Sequence, residues 1–247
     1  MMFSLWLFLT AVLAGGVAAV SGFGIGSLLT PLVAVRHGTK LAVALVSIPH
    51  LVATAVRFIG LRGQLNRRVF VNFGILSAVG GLLGALLNAN ANSPILAIIF
   101  GGLLVFAGGS GLTGFIDRIR FGRRTAWFAG ALSGFFGGLV GNQGGIRSAA
   151  LLGFEIQKEA LVATATAIAL IVDGARMPVY LALETRAILT AWPVLALAVA
   201  GVLFGTFWGV QVLRRIPDQI FGKILSTLIL ALGIYMLTHG VLMQKAA

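Results

Sequence analysis

The fold of this chain follows from the stretch Ser21-Gly-Phe-Gly-Ile-Gly-Ser-Leu-Leu-Thr-Pro31, in which three closely spaced glycines interrupt an apolar segment. A second glycine-rich stretch, Gly137-Gly-Leu-Val-Gly-Asn-Gln-Gly-Gly145, interrupts a later apolar segment in the same way. Glycine inside a helix is destabilising by about 1 kcal/mol relative to alanine, so such clusters mark helix breaks. We therefore expect two broken helices.

The two breaks belong to an internal duplication. Adding 119 to the residue numbers of 22–57 gives the matching region 141–176, so that Gly22 pairs with Gly141 and Arg57 with Arg176. Further along, two glycine pairs match at an offset of 121, namely Gly80 and Gly84 with Gly201 and Gly205. Small residues at this spacing let helices approach closely, within the monomer or in a homodimer.

Composition places the chain in a lipid bilayer. Hydrophobic residues make up 59% of the sequence and charged residues 10%, against roughly 25% charged in a soluble domain. The net charge of +12 comes from Lys and Arg in short loops between apolar runs, as the positive-inside rule predicts, so we expect no nucleic-acid partner. With no cysteine and only three scattered histidines, we expect no metal site and no cofactor.

Apolar runs long enough to cross a membrane, at about 20 residues each, occupy 41–60, 69–88, 95–114, 160–181, 187–211 and 219–240. The broken segments, 3–35 and 125–154, could each cross or turn back as a helical hairpin. If both turn back, eleven Lys and Arg residues fall on one side of the membrane and four on the other; if both cross, the split is nine to six. The positive-inside rule favours the hairpins.

The predicted fold is therefore an all-α integral membrane protein with two inverted repeats, each made of one glycine-broken hairpin and three transmembrane helices. The repeats cover 1–116 and 125–247, joined by a basic cytoplasmic loop at 117–124. Three crossings per repeat place the copies in opposite orientations about an axis in the membrane plane. No Lys or Arg precedes Arg36, so we do not expect the first segment to be a cleaved signal peptide.

The two breaks, the half-helix ending at Pro31 and the arginine-rich central loop resemble those of the sulfite exporter TauE/SafE family, over essentially the whole chain. The resemblance implies a multi-pass transporter of the inner (plasma) membrane that exports small sulfur-containing anions such as sulfite, sulfoacetate or related sulfonates. The chain departs from the family pattern at Asn142, Gln143 and Arg147, where glycine and bulky apolar residues are more usual, and at Ala150, which replaces the proline.

The breaks are the first candidates for a binding site, because unwound backbone at membrane depth persists only where it is buried or lines a cavity. Half-helices starting at about Ser27 and Ile146 would direct free N–H groups at an anionic substrate. The alternative is that the glycines only allow close packing. The predicted substrate-binding residues at the breaks are Gly24, Gly26, Ser27, Asn142, Gln143, Gly144, Gly145 and Arg147.

Arg147 stands out because it begins a half-helix in an apolar segment, where an ionisable residue is a functional hypothesis by default. Its guanidinium suits a sulfonate or carboxylate. The alternative is an arginine that snorkels or caps a carbonyl. The equivalent residue in the first repeat is Leu28, so any site is asymmetric.

Both repeats also carry a polar stripe, which consists of Ser47, His50, Thr54 and Arg57 in the first and Thr166, Asp173, Arg176 and Tyr180 in the second. We predict that Arg57 and Arg176 bind substrate or, from the helical rise, line the two entrances; interfacial snorkelling is the alternative. Asp173 and His50 are candidates for coupling or gating. Asp173 could instead form an ion pair with Arg176, and His50 could be a hydrogen-bonded helix residue.

The function these residues predict is secondary-active transport by alternating access. Two alternatives remain open, a passive anion channel and a transporter of small carboxylates. An enzyme is disfavoured because no nucleophile and base pair is evident at membrane depth, so we assign no catalytic residues.

Overall fold

The computed structural model describes residues 2–115, 123–142, 144–151, 154, 157–209 and 217–245. In this part of the chain every regular element is a helix. The α-helices are α1 (Met2–Ser21), α2 (Ile25–Leu61), α3 (Arg67–Asn90), α4 (Ser93–Thr113), α5 (Arg123–Val140), α6 (Gly144–Leu151), α7 (Lys158–Thr190), α8 (Trp192–Phe204) and α9 (Asp218–Lys245). A 3-10 turn, Arg62–Gln64, follows α2, and a π turn, Gly205–Gly209, extends α8.

Six helical segments in the described part of the chain are long and apolar enough to span a membrane: Met2–Ser21, Ile25–Gln64, Arg67–Asn90, Ser93–Thr113, Ala160–Thr190 and Gly222–Lys245. The set differs from the one predicted, because α1 is included and the span expected at 187–211 is represented by the shorter Trp192–Trp208. The reason is that α7 continues through a kink at Glu184, where the sequence predicted a loop. Large apolar side chains are exposed along the outer surface, as a lipid-facing surface requires. This is a multi-pass membrane protein.

The first broken segment turns back on itself. Gly22 (φ 79°) and Gly24 (φ 126°) adopt positive φ values that side chains rarely tolerate. On the return, the Arg36 guanidinium lies over the Phe3 ring, 5.2 Å from its centroid, so the chain comes back to the start of α1. This agrees with a hairpin, whereas its depth in a bilayer stays a prediction. A further kink at Gly38 (φ 73°) stands where the sequence predicted the loop at 36–40.

The second break repeats the geometry of the first. Gly141 has φ 77°, close to the value of its counterpart Gly22. The half-helices begin at Ile25 and Gly144, two residues before the predicted Ser27 and Ile146. Gln143 lies outside the described residues.

Each helix pair at the interface joins one helix of the first repeat to one of the second. The third helix of the first repeat, α3, packs against α5 of the second repeat, and α8 packs against α1 of the first; α2 packs against α7 and α4 against α9. The prediction that paired glycines bring helices together is confirmed within one chain. A Cβ on Gly84 would lie 2.0 Å from the Phe135 carbonyl oxygen, and one on Gly205 would lie 1.9 Å from the Val12 oxygen.

The main apolar core surrounds the breaks. It contains Ile25 and Leu29 from the first turns of α2, Val140 from the end of α5 and Val202 from α8, all no more than 1% exposed. Both broken helices therefore meet in the interior of the molecule, which positions the candidate site.

Candidate functional site

The two helix breaks are in direct contact. A Cβ added to Gly26 would lie 2.1 Å from the carbonyl oxygen of Gly141, and one added to Gly144 would lie 2.1 Å from Cβ of Phe23. Any side chain at these two glycines would collide with the opposite break, so the close approach requires glycine. The structure thus brings together the break residues that the sequence singled out in each repeat.

Among the described residues, three uncharged polar side chains lie at this junction, which is the contact zone between the Gly22–Gly26 and Gly141–Gly144 segments. Ser27 donates a long hydrogen bond of 3.5 Å to Oδ1 of Asn142. Thr30, which the sequence analysis missed, is 0% exposed, and its hydroxyl has no partner among the described residues. That hydroxyl lies 3.6 Å from where a Cβ on Gly141 would be. The signal in the sequence was the spacing of three residues between Ser27 and Thr30, which places both on one helix face.

Arg147 is buried at the junction with most of its hydrogen-bonding capacity unused. It is 1% exposed, and its Nη2 donates to the carbonyl oxygen of Gly22 at 3.5 Å, a long contact. Its Nε and Nη1 have no partner among the described residues. Buried N–H groups are rarely left unpaired, because each costs about 1–3 kcal/mol or more when charged. The alternative role of Arg147, capping a backbone carbonyl, therefore accounts for only one of its nitrogens, Nη2, which binds the Gly22 carbonyl.

Arg176 is held in the second repeat by two sets of contacts that together we call the arginine clamp. In an arginine clamp, the arginine binds the side chain three residues before it. It also binds a backbone carbonyl near the end of the helix that precedes the break. Nε of Arg176 donates to Oδ1 of Asp173 at 3.0 Å, and Nη2 lies 2.7 Å from the same oxygen. Nη1 donates to the carbonyl oxygen of Gly137 in the last turn of α5. A cation at a helix C-terminus is favourable because the terminal carbonyls lack helical partners.

The first repeat has the same clamp at the equivalent positions. Nη1 of Arg57 donates to the carbonyl oxygen of Ala18, in the last turn of α1, and Nη2 donates to the Thr54 hydroxyl at 3.2 Å. Ala18 is the counterpart of Gly137, and Thr54 is the counterpart of Asp173, at the same offset of 119. The two clamps therefore share the arginine, its side-chain partner three residues earlier and the carbonyl it binds, but Nε of Arg176 also donates to Asp173, whereas Nε of Arg57 has no partner among the described residues.

The clamps place Arg57 and Arg176 beside the breaks. Counting helical rise from the loop ends predicted a position at the two entrances, and this stays a prediction; the guanidinium groups donate to the carbonyl oxygens of Ala18 and Gly137. Arg176 is 1% exposed, whereas Arg57 is partly exposed with its Nε buried and unpartnered among the described residues. Their predicted contact with substrate stays a prediction.

The ion pair weighed for Asp173 is present, and it extends to the other repeat. Nδ1 of His50, on α2, lies 2.6 Å from Oδ2 of Asp173, on α7. His50 is thus hydrogen-bonded, and its partner lies 123 positions away, where spacing along the chain could not have indicated it. Tyr180 completes the network by donating to the carbonyl oxygen of Gly138.

The junction is electropositive and closed. Three arginines and one carboxylate lie at or beside it, because Arg147 binds the Gly22 carbonyl, Arg57 binds the Ala18 carbonyl, and Arg176 binds both Gly137 and Asp173. Asp173, Arg147 and Arg176 are each no more than 1% exposed, so these three groups are shut off from solvent, whereas Arg57 is partly exposed. Among the described residues, no three His, Cys, Asp or Glu side chains are grouped so that they could hold a metal ion.

Comparison with known proteins gives one match. A family model described as sulfite exporter TauE/SafE matches residues 7–236 of the 247 in the chain. The search of curated proteins and the search of solved structures gave no match. The matched region includes both breaks, both clamps and Arg147. The chain therefore belongs to the sulfite exporter TauE/SafE family of membrane transporters.

Proposed function

We propose that this protein is a secondary-active exporter of small sulfur-containing anions, sulfite or organosulfonates such as sulfoacetate, across the inner membrane by alternating access. Membership of the family supports a sulfur anion as cargo. The observation that carries the proposal is Arg147, a buried cation whose Nε and Nη1 have no partner within the described residues. It lies where the two broken helices meet.

The junction offers the donors that an oxyanion needs. The guanidinium of Arg147 provides charge-assisted hydrogen bonds to sulfonate or sulfite oxygens. The Thr30 hydroxyl is buried and has no hydrogen-bond partner among the described residues, so it can donate to a bound anion. The half-helices that begin at Ile25 and Gly144 add unpaired N–H groups and the positive ends of their dipoles. Together these groups replace part of the hydration shell that the anion loses.

Alternating access is supported by the way the repeats pack. Contacts of α3 with α5 and of α8 with α1 are related by exchange of the repeats, as expected for copies related by a twofold axis in the membrane plane. The closed junction would then open to one side or the other as the repeats move. Homodimer formation stays a prediction.

Coupling is assigned in this proposal to His50 and Asp173. Their contact of 2.6 Å joins α2 of one repeat to α7 of the other, and Arg176 shares the same carboxylate. A proton taken up by this pair would change the charge that holds the two helices together. The pair is therefore placed to link proton movement to opening.

Transport by the purified protein tests the proposal. Liposomes containing the protein and loaded with labelled sulfite should show efflux that saturates and that is accelerated by unlabelled sulfite outside. We expect Arg147→Ala to abolish this flux, Arg147→Lys to retain part of it, and Arg67→Ala, which removes an exposed arginine, to leave it unchanged. Flux without saturation or exchange would indicate a channel, and normal flux by Arg147→Ala would overturn the site.

A further inference from the structure

We propose that Thr54 sets the charge of the transported anion, and that its presence in the first clamp makes the junction selective for a doubly charged species. This inference rests on the proposed function. It comes from the one chemical difference between the two clamps: Asp173 neutralises Arg176, whereas the equivalent Thr54 gives Arg57 a hydrogen bond of 3.2 Å and no counter-charge.

The two clamps share the bond from arginine to carbonyl, but Nε of Arg176 binds Asp173, whereas Nε of Arg57 has no partner among the described residues. Each arginine binds the carbonyl at the matching position of the helix before the break, Ala18 in one repeat and Gly137 in the other. In the first repeat, arginine therefore caps the helix end without a carboxylate beside it. Capping therefore does not decide whether residue 54 is charged or neutral, and this choice can serve substrate selection.

The junction consequently holds more positive than negative charge. Among the described residues, Arg57, Arg147 and Arg176 are opposed by the carboxylate of Asp173, to which the imidazole of His50 is also bound. Two cationic charges are left without a counter-charge among the side chains that the structure describes. Buried charges are stable only when paired, so the excess matches an anion with two negative charges.

The positions of the two uncompensated arginines support a shared ligand. Arg57 binds the carbonyl of Ala18, which also accepts from the backbone N–H of Gly22, and Arg147 binds the carbonyl of Gly22. The two guanidinium groups, one from each repeat, are therefore bound to the end of α1 and to the first residue of the break that follows it. Nε of Arg57 and Nε and Nη1 of Arg147 are buried donors with no partner in the described part of the chain.

The substrate class that follows is a compact dianion, such as sulfite in its fully deprotonated form, or an organosulfonate with a second anionic group. A monoanionic alkylsulfonate would leave one buried cation unbalanced. Sulfate and methanesulfonate form a suitable pair of probes, because a methyl group replaces one oxygen and removes one negative charge. Both present three oxygens in the same geometry.

The test is calorimetric binding of these two probes to the full-length purified protein. Wild type should bind sulfate at least about tenfold more tightly than methanesulfonate. Thr54→Asp gives Arg57 the carboxylate that Arg176 already has, and should weaken sulfate binding by about tenfold or more while sparing methanesulfonate. Thr54→Asn, the uncharged control of the same size, should keep the preference of wild type.

A second pair of variants changes the arginine itself. Arg57→Gln removes the charge and keeps an N–H donor for Ala18, and should reduce the preference for sulfate; Arg57→Lys keeps the charge and should retain it. Equal effects of Thr54→Asp and Thr54→Asn would overturn the inference. If the variants do not fold, the wild-type ratio decides, since equal binding of the two probes also overturns it. Failure of wild type to bind either probe or sulfite would instead contradict the proposed function.

Discussion

The two repeats build the same clamp from different chemistry. In both, an arginine three residues beyond its side-chain partner reaches back to a carbonyl in the last turn before the break. In the second repeat the partner is Asp173 and the arginine is neutralised, whereas in the first it is Thr54 and the charge remains. The shared part of the clamp is thus structural, and the part that differs is electrostatic.

The half-helices that follow the two breaks also differ in charge. Arg147 in α6 occupies the position that Leu28 holds in α2, and both side chains are 1% exposed. One repeat therefore fills this buried position with an apolar side chain that packs, and the other fills it with a cation whose donors are largely unused. Duplication provides the frame, and single substitutions within it create the asymmetric junction.

The largest expected loss of stability distinguishes the two clamps. Asp173→Asn leaves Arg176 buried without its counter-charge and should lower the free energy of unfolding by about 3–5 kcal/mol. Thr54→Ala, its counterpart in the first repeat, removes one hydrogen bond and should cost about 1–2 kcal/mol. Unfolding by SDS titration, followed by circular dichroism, measures both. Equal losses would show that Asp173 gives no more than a hydrogen bond.

A smaller loss of stability should be the same in the two repeats. Alanine at Gly84 or at Gly205 places a Cβ about 2 Å from a backbone oxygen of the facing helix, and forcing the helices apart should cost about 1–3 kcal/mol in each case. The same SDS titration applies. Gly102→Ala is the control, because a Cβ there meets nothing within 4 Å. A loss confined to one of the two sites would argue against equivalent packing of α3 on α5 and α8 on α1.

The smallest effect concerns Tyr180, for which the first repeat has the apolar Leu61. Tyr180→Phe removes the O–H that is donated to the Gly138 carbonyl and should lower stability by about 1 kcal/mol. Tyr235→Phe, at a residue 41% exposed, should leave stability unchanged. If Tyr180→Phe has no effect either, this extra bond does not distinguish the second repeat.

The sequence predicted the features of the fold that depend on local spacing. The duplication, the two breaks and the close approach of Gly84 and Gly205 to neighbouring helices all follow from spacing and from the small size of glycine. The kink at Glu184, inside α7, was expected to be a loop, because a charged residue between two apolar runs gives the same pattern as a bent continuous helix.

The remaining features of the site depend on tertiary contacts. Nothing in the spacing of His50 and Asp173, which lie in different repeats, indicates that they touch. Helical rise places Arg57 and Arg176 along their helices but does not indicate which carbonyls their guanidinium groups bind. Thr30 was overlooked because a hydroxyl in a helix is ordinarily bonded to its own backbone, and only the structure shows that this one has no partner among the described residues.

The central claim is that Arg147 holds an anion between the two breaks, and ligand-induced stabilisation tests it most directly. Sulfite should raise the unfolding temperature of the purified wild-type protein and of Arg67→Ala by the same amount, because a ligand that binds the folded state stabilises it. Arg147→Ala, which removes an underpaired buried charge, should remain folded and show no such rise. An equal rise in Arg147→Ala, or none in wild type, would contradict the account.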